Sequence, residues 1–399
     1  MHIFNYLYQH IGDNIQIHTN GCDICIHDAR KFANVLANSE EWGGEKTIIY
    51  NTCSVFKERE IENKLIIDLL RRAFPDHQMH ILGCDVNNNP QNYKDCIQYT
   101  IQDVNDIIYY EPVPDIVETE EPLIYVKVQD GCPHKCSYCI INQLRSDVFS
   151  VPYDTIVELI KGQIKGKPNP RVELAGTELT EYYDEKYGYT LIELLEHLIE
   201  DVPEVERFTL TSLDPQPAMT EFVIEFIGEH KDKFVPHLTL AVQSGSDKIL
   251  RRMNRRHNTT RINTLHELAK ENGVSLGWDI IVGFPGETEE DFQKTFDLMK
   301  FHHPLSHTIF AYSPREGTPA FNLKDQVPEE EKQRRLKILT DYMDKTIKEK
   351  HNYNFYAFAE YSEELTRYNQ LGYIKEKVLN LLNEGRNEDI NTNLSDVDE

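Results

Sequence analysis

The segment GCPHKCSYCII places Cys132, Cys136 and Cys139 in a C-x3-C-x2-C array directly after a β-rich run. Thiolates this close together cannot all pair as disulfides, and a closed structural zinc site takes four ligands. An iron-sulfur cluster held by three cysteines instead leaves one iron open to bind substrate atoms. The competing reading is a zinc knuckle completed by His134. A second set is dispersed: Cys22, Cys53 and Cys84 stand at equal intervals, closing the β-rich runs NIQIHTNGC, KTIIYNTC and QMHILGC. If those runs are parallel strands, their carboxyl ends share one sheet edge, where open α/β folds place ligands, and three distant thiols meet. The plainer alternative is three small buried core residues, a common fate of free cysteine. Cys25 and Cys96 complete the eight cysteines and read as core or incidental surface thiols, with a spare ligand as the alternative for Cys25, three residues after Cys22.

The elements that must hold these thiols follow from periodicity. Up to about residue 110, short β-rich runs alternate with helical patterns, as in a three-layer α/β domain with a parallel sheet. In EREIENKLIIDLLRRAF, the spacing of Ile61, Leu65, Ile66, Leu69 and Leu70 predicts a helix with one buried stripe. Residues 111–122, EPVPDIVETEEP, carry three prolines and five acidic residues and read as a linker. Residues 123–345 then offer six strands, near 123–128, 172–175, 208–211, 238–242, 276–282 and 308–312. Helical stretches such as TIVELIKGQIK, TLIELLEHLIE and TEEDFQKTFDLMKF separate them, the last opened by a Thr288–Asp291 capping box. Six such repeats predict a partial (β/α)6 barrel whose active face is the carboxyl ends of its strands. Residues 346–399 form a short C-terminal region whose tail, GRNEDINTNLSDVDE, reads as disordered.

Composition narrows the partners. The 399 residues carry 42 Lys+Arg against 67 Asp+Glu, a net charge of −25 that repels polyanions unless a local basic patch opposes it. Arg251, Arg252, Arg255, Arg256 and Arg261 are the basic concentration; all but Arg255 are expected to face water and pair with carboxylates. No apolar run is long enough to span a bilayer and the N-terminus lacks a signal-peptide layout, so a cytoplasmic address is expected. In that reducing compartment metal binding or catalysis is the better default for clustered thiols.

The C-x3-C-x2-C loop resembles the signature of the radical S-adenosylmethionine (SAM) superfamily, with Tyr138 at the aromatic position before the third cysteine. The resemblance implies that Cys132, Cys136 and Cys139 hold a 4Fe-4S cluster whose open iron chelates SAM, which an electron cleaves to a 5'-deoxyadenosyl radical. VELAGTE, with Gly176 and Glu178, resembles the strand and turn that meet the SAM amino group, and Val282 and Gly283 in DIIVGFPGE resemble the strand that meets adenine. NTCSVFKEREIENKL, AVQSGSDKILRRMNRR and AYSPREGTPA are similar to segments of the methylthiotransferases of that superfamily, over about residues 15–345. Through them Gln243 and Arg255 enter as SAM-pocket residues, and Arg145 as a family arginine near the cavity, with a solvated charge as the alternative for each arginine. In that family the positions of Cys22, Cys53 and Cys84 bind a second, auxiliary 4Fe-4S cluster carrying sulfide. A methylthio group is thereby inserted into an unactivated C-H bond, with a flavodoxin- or ferredoxin-type protein as electron donor.

Most of that family act on tRNA, at an adenosine near the anticodon, and one branch acts on a ribosomal protein; both end in a small β-barrel (TRAM) domain. Here only YAFAEYSEELTRYNQLGYIKEKV resembles a remnant of it, and the end of the chain is acidic. A peptide or protein substrate, first a ribosomally made peptide modified after translation, is therefore expected ahead of tRNA. A non-catalytic Fe-S or zinc-binding interaction module is the alternative from another class.

Overall fold

The computed structural model describes residues 7–11, 14–19, 22–39, 42–54, 57–110, 123–145 and 147–350. The expected linker, 111–122, and residues 351–399 of the C-terminal region lie outside them.

The first sheet runs in the order β1 (Leu7–Ile11), β2 (Ile15–Thr19), β3 (Thr47–Thr52), β4 (Gln78–Gly83), β5 (Ile97–Tyr99). With it come α1 (Asp23–Asn38), α2 (Lys57–Ala73), α3 (Cys84–Asn88) and α4 (Ile101–Tyr110). β2 to β5 are parallel, as expected of the three cysteine-ended runs; β1 is an added antiparallel edge strand. Side chains alternate between the two faces of such a sheet. Ile15, Ile17, Ile49 and Leu82 therefore pack with Ala29 and Phe32 of α1 and Val104 of α4. Ile48, Tyr50, Met79 and Ile81 pack on the other face with Ile67 and Leu70 of α2. Each fully buried aliphatic side chain in these layers contributes about 1.5–3 kcal/mol.

The predicted stripe of α2 is corrected by the structure. Ile61 and Leu65 face solvent, 55% and 61% exposed. The helix is turned so that Asn63 sits against the sheet instead. Its amide donates to Cys53 O at 2.8 Å and Asp85 Oδ2 at 3.0 Å, and its carbonyl accepts from Tyr50 Oη at 3.2 Å. A satisfied buried amide outweighs the two exposed aliphatics here, and it anchors the backbone of a cluster candidate.

The second body is an arc of six parallel strands: β6 (Leu123–Asp130), β8 (Arg171–Gly176), β11 (Arg207–Leu210), β12 (His237–Gln243), β13 (Ser275–Val282) and β14 (His307–Ala311). The short β7 (Phe149–Ser150) pairs antiparallel with β6, and β9 (Tyr183–Asp184) with β10 (Tyr189–Thr190). Among the described residues, β11 and β12 are joined by two isolated bridges, Phe208↔Phe234 and Leu213↔Leu240. β14 pairs with neither β6 nor β7 among the described residues, so the barrel is partial rather than closed. Around it lie α5 (Ile141–Leu144), α6 (Tyr153–Ile164), α7 (Leu191–Asp201), α8 (Ala218–Glu229), α9 (Asp247–Arg252), α10 (Thr259–Asn272), α11 (Glu289–His302) and α12 (Glu329–Lys350). Capping boxes open α7, at Thr190 and Glu193, and α11, at Thr288 and Asp291. One core holds Val126, Leu174, Phe208, Leu240 and Ile280 from the strands against Ile156, Leu194, Ile224 and Phe292 from the helices.

Candidate functional site

Register brings the first thiols together. Ile17 stands opposite Ile49, and Ile49 opposite His80, so the carboxyl ends of β2, β3 and β4 lie level on one edge. Cys22 caps α1, Cys53 follows β3 directly, and Cys84 opens α3. Gly83 takes φ +101°, and a Cβ there would run into Asn51 and Thr52, so the turn into Cys84 requires glycine. Cys25 joins the trio: its Sγ accepts from Cys22 Sγ at 3.7 Å, and Asn51 Nδ2 holds its carbonyl at 2.9 Å. Cys22 is exposed, whereas Cys25, Cys53 and Cys84 are buried. A hydrogen bond from Cys25 draws the Cys84 thiol down to about 6; burial opposes this and the Arg145 guanidinium adds to it.

The loop trio is set by its own glycine. Gly131 has φ +79° and no room for a side chain against Asp147. Ser137 ties the loop to the end of α9, its N–H donating to Met253 O at 2.9 Å and its Oγ to Arg252 O at 2.8 Å. Arg255 Nη1 donates to Cys136 Sγ at 3.3 Å, while its Nη2 reaches Ala241 O at 2.9 Å and Asp214 Oδ2 at 3.1 Å. Burial pushes the Cys132 thiol up to about 12 and the Cys139 thiol up to about 11. One buried and two half-buried thiols, with a single guanidinium on Cys136, form a donor set whose ionised state calls for more positive charge, which a bound metal group brings. The residues fit an iron-sulfur cluster on that ground. For the zinc alternative, donor atoms of Cys132, His134 and Glu178 do lie within 4.8 Å of one another. However, His134 Nε2 faces Arg256 Nη2 at 2.6 Å, a donor that occupies the ring lone pair zinc would need.

A cavity of about 830 Å³ joins the two bodies. Cys22, Cys25, Cys53 and Cys84 line it on one side, and Glu173, Gly176, Thr177, Asp279 and Thr308 of the barrel on the other. Cys132, Cys136 and Cys139 are not on its wall; Cys132 comes nearest by sequence neighbours, its sulfur within 4.8 Å of a carboxylate oxygen of Glu178, the residue after the wall residue Thr177. Burial lifts the Asp279 carboxyl to about 6, against hydrogen bonds from Thr308 and Ser212, and lifts Glu178 to about 7.

The docking of the bodies rests on four charges, of which sequence reasoning singled out Arg145 and missed Lys127, Asp28 and Asp130. Lys127 Nζ lies 2.5 Å from Asp28 Oδ1 of α1, and Arg145 Nη1 lies 2.5 Å from Asp130 Oδ2 with Nη2 3.6 Å from Asp28 Oδ2. All four are buried, so the solvated alternative for Arg145 is overturned, as it is for Arg255, whose side chain is 7% exposed. The legible signal was a lysine and an aspartate inside the apolar run LIYVKVQD. Of the other arginines, Arg252 pairs with Asp325 and Arg261 with Glu221, Arg256 lies 3.9 Å from Asp214, and Arg251 is exposed.

The remaining SAM-pocket candidates fall into two groups. Gly176 lies on the cavity wall, and a Cβ there would come within 2.5 Å of Leu179 Cδ2. Tyr138 stands edge-on to Phe284, ring centroids 6.5 Å apart, next to Val282 and Gly283 at the end of β13. Gly283 has φ +72° and donates its N–H to Glu287 Oε2 at 2.6 Å; Gln243 closes β12 with a left-handed φ of +67°. Tyr138, Gln243, Arg255, Val282 and Gly283 are off the cavity wall. Cys96 is remote from both trios, its Sγ accepting from Arg71 Nη2 at 2.9 Å.

Two comparisons bear on this arrangement. The Radical SAM superfamily model matches residues 126–299, from β6 into α11. The threonylcarbamoyladenosine tRNA methylthiotransferase MtaB of Rickettsia prowazekii is 31% identical over 351 residues, 81% of this chain and 81% of that protein. The tRNA-2-methylthio-N(6)-dimethylallyladenosine synthases of Carboxydothermus hydrogenoformans and Clostridium tetani are 32% and 31% identical, covering 81% and 84% of this chain and 81% and 82% of theirs. A superfamily enzyme of the radical SAM type is thus defined by fold and loop. The chain belongs within it to the methylthiotransferases and is a transferase. Membership implies a 4Fe-4S cluster and SAM. No helix among the described residues is long and apolar enough to cross a membrane.

Proposed function

We propose that the chain inserts a methylthio group into a C-H bond of a tRNA nucleoside. Cys132, Cys136 and Cys139 hold the cluster that takes SAM, and Cys22, Cys53 and Cys84 hold an auxiliary cluster that carries sulfide. The observation that supports this most is the cavity between the two bodies: three strand-end thiols from one form a wall facing the barrel residues Glu173, Gly176, Thr177 and Asp279, and Glu178, next to Thr177, lies within 4.8 Å of the Cys132 sulfur. When bound, the two clusters supply the electron that cleaves the sulfonium and the sulfur that is transferred. The chain's own residues set the stage. Arg255 keeps a positive charge on Cys136, and Arg145 keeps one beside Cys84. Gly176 keeps the wall free of a side chain, and the seam of Lys127, Asp28, Arg145 and Asp130 holds the domains in one relative position. Tyr138, Glu178, Gln243, Val282 and Gly283 complete the SAM pocket, and a flavodoxin- or ferredoxin-type donor delivers the electron.

The peptide substrate expected from the acidic composition gains no support from the relatives, which carry tRNA names. One observation still favours it as a second reading. Arg252, Arg255 and Arg261 are paired with Asp325, Asp214 and Glu221, which lowers the positive charge the basic run can offer a phosphate backbone. The test is anaerobic turnover of the reconstituted enzyme with undermodified bulk tRNA, followed by nucleoside mass spectrometry. A methylthio-nucleoside is expected. Unmodified tRNA alongside intact SAM cleavage overturns the tRNA reading and advances the peptide. Tightly bound zinc without SAM cleavage favours a non-catalytic module over either.

A further inference from the structure

The thiol that neither trio uses carries a further inference. Cys25 lies one helical turn from Cys22 at 3.7 Å Sγ to Sγ, it is 0% exposed, and it lines the same cavity as Cys22, Cys53 and Cys84. It also hydrogen-bonds the Cys84 thiol, so it touches two of the three trio members. A C-x2-C step is the spacing at which successive cysteines ligate neighbouring irons of one cube. Its carbonyl is pinned by Asn51, which fixes where the first turn of α1 points the side chain.

We infer that Cys25 is a fourth, replaceable sulfur ligand of the auxiliary cluster. It closes the iron that the other three leave open and yields that iron to an incoming sulfide or thiol. The exchange is redox-neutral: one iron–sulfur bond to Cys25 breaks, one to the incoming sulfur forms, and the proton of the incoming S–H passes to the Cys25 thiolate. The exchangeable iron is thereby protected until sulfur arrives. The inference rests on the reading of Cys22, Cys53 and Cys84 as cluster ligands.

The experiment uses the full chain with Cys132, Cys136 and Cys139 changed to Ala, so that one site remains. It compares this parent with its Cys25→Ala and Cys25→Ser derivatives after anaerobic reconstitution. Iron is counted first, and about four per chain are expected in all three. Methanethiol is then titrated and followed by the EPR spectrum of the reduced cluster. Both derivatives are expected to shift at a concentration at least tenfold lower than the parent, because no internal thiolate competes. Shifts within twofold of the parent overturn the inference while leaving the trio intact. Loss of iron from both derivatives, with the parent loaded, also overturns it, since Cys25 would then be obligatory. A parent without iron overturns the reading of the trio itself, before Cys25 is in question.

Discussion

Arg315 Nη2 donates to Ser54 Oγ at 3.0 Å, joining the loop after the last barrel strand to the residue that follows Cys53. The same guanidinium pairs with Glu60 of α2, and the arginine is 5% exposed. A cation from one body thus fixes the backbone beside a cluster candidate of the other. The position of Cys53 relative to the barrel is set by this contact as well as by Asn63.

Removing that cation takes away the countercharge of Glu60, which then keeps only the neutral hydrogen bonds from Ser54 and Asn88. Arg315→Met is expected to cost about 2 kcal/mol of unfolding free energy, measured by urea denaturation of the apo chain. The same variant should cleave SAM at a near-normal rate yet transfer little methylthio group, because the loop trio is untouched while Cys53 loses its registration. Equal losses in both assays would count against a positioning role.

The pair also predicts a pH response. Burial raises the Glu60 carboxyl, but hydrogen bonds from Ser54, Arg315 and Asn88 outweigh it and hold it below the ordinary carboxylate range. Its folded value is depressed, so its contribution to stability is full above the unfolded value of about 4.3 and fades as pH falls through the folded one. The difference in stability between wild type and Glu60→Gln should therefore shrink on acidification below about pH 4.

Asp279 predicts the opposite slope. Its folded value is raised to about 6 by burial in the barrel lumen, so the folded state holds a proton that the unfolded state releases near pH 4. Stability then falls as pH rises from about 4 to about 6 and levels off above, a loss of up to roughly 3 kcal/mol. Asp279→Asn keeps the hydrogen-bond partners Thr308 and Ser212 and should abolish that part of the slope in denaturation curves taken between those pH values. An unchanged slope would place the charge elsewhere.

What was legible in the chain and what was not divides along one line. Local signals held: the six barrel strands and the parallel strands ending at Cys22, Cys53 and Cys84 follow from period and turn residues that neighbours in sequence carry. The failures are tertiary. Ile61 and Leu65 fit a helical stripe but lose the buried face to Asn63, whose value depends on Tyr50 and Asp85 from two other elements. Arg145 reads either as an arginine near the cavity or as a solvated charge, and the choice is made only when Asp28, more than a hundred residues earlier, is placed against it. The edge strand β1 was overlooked although the residue types G-D-N, which favour turns, stand between two short apolar runs in the sequence. Lys127 and Asp130 stand inside a run that otherwise reads as plain core, and their meaning lies in the partner domain.

Gly176 offers a local probe of the cavity wall. A Cβ there would lie 2.5 Å from Leu179 Cδ2 and 3.2 Å from Gln129 Cβ, so Gly176→Ala forces the buried Leu179 off its position. Overpacking of this kind costs about 1–3 kcal/mol. SAM affinity by equilibrium dialysis should fall with it, whereas Gly162→Ala, a helix position with nothing within 4 Å of the added Cβ, should leave affinity unchanged.

Arg255 and Asp214 form the last test, because two roles for the arginine predict different patterns. Their side chains are 7% and 4% exposed, and their separation is 3.1 Å. Removing one partner of such a pair leaves an uncompensated buried charge, typically about 3–5 kcal/mol, while removing both is far milder. If Arg255 serves stability alone, Arg255→Met should be destabilised by that order, Arg255→Met with Asp214→Leu should recover most of it, and the reduced cluster should keep its midpoint potential throughout. The donation from Nη1 to Cys136 Sγ argues for more than that. A hydrogen-bonding cation on a ligand sulfur favours the reduced, more negative cluster. The potential measured by EPR-monitored titration should therefore drop in both the single and the double variant, even where the double variant has regained its stability.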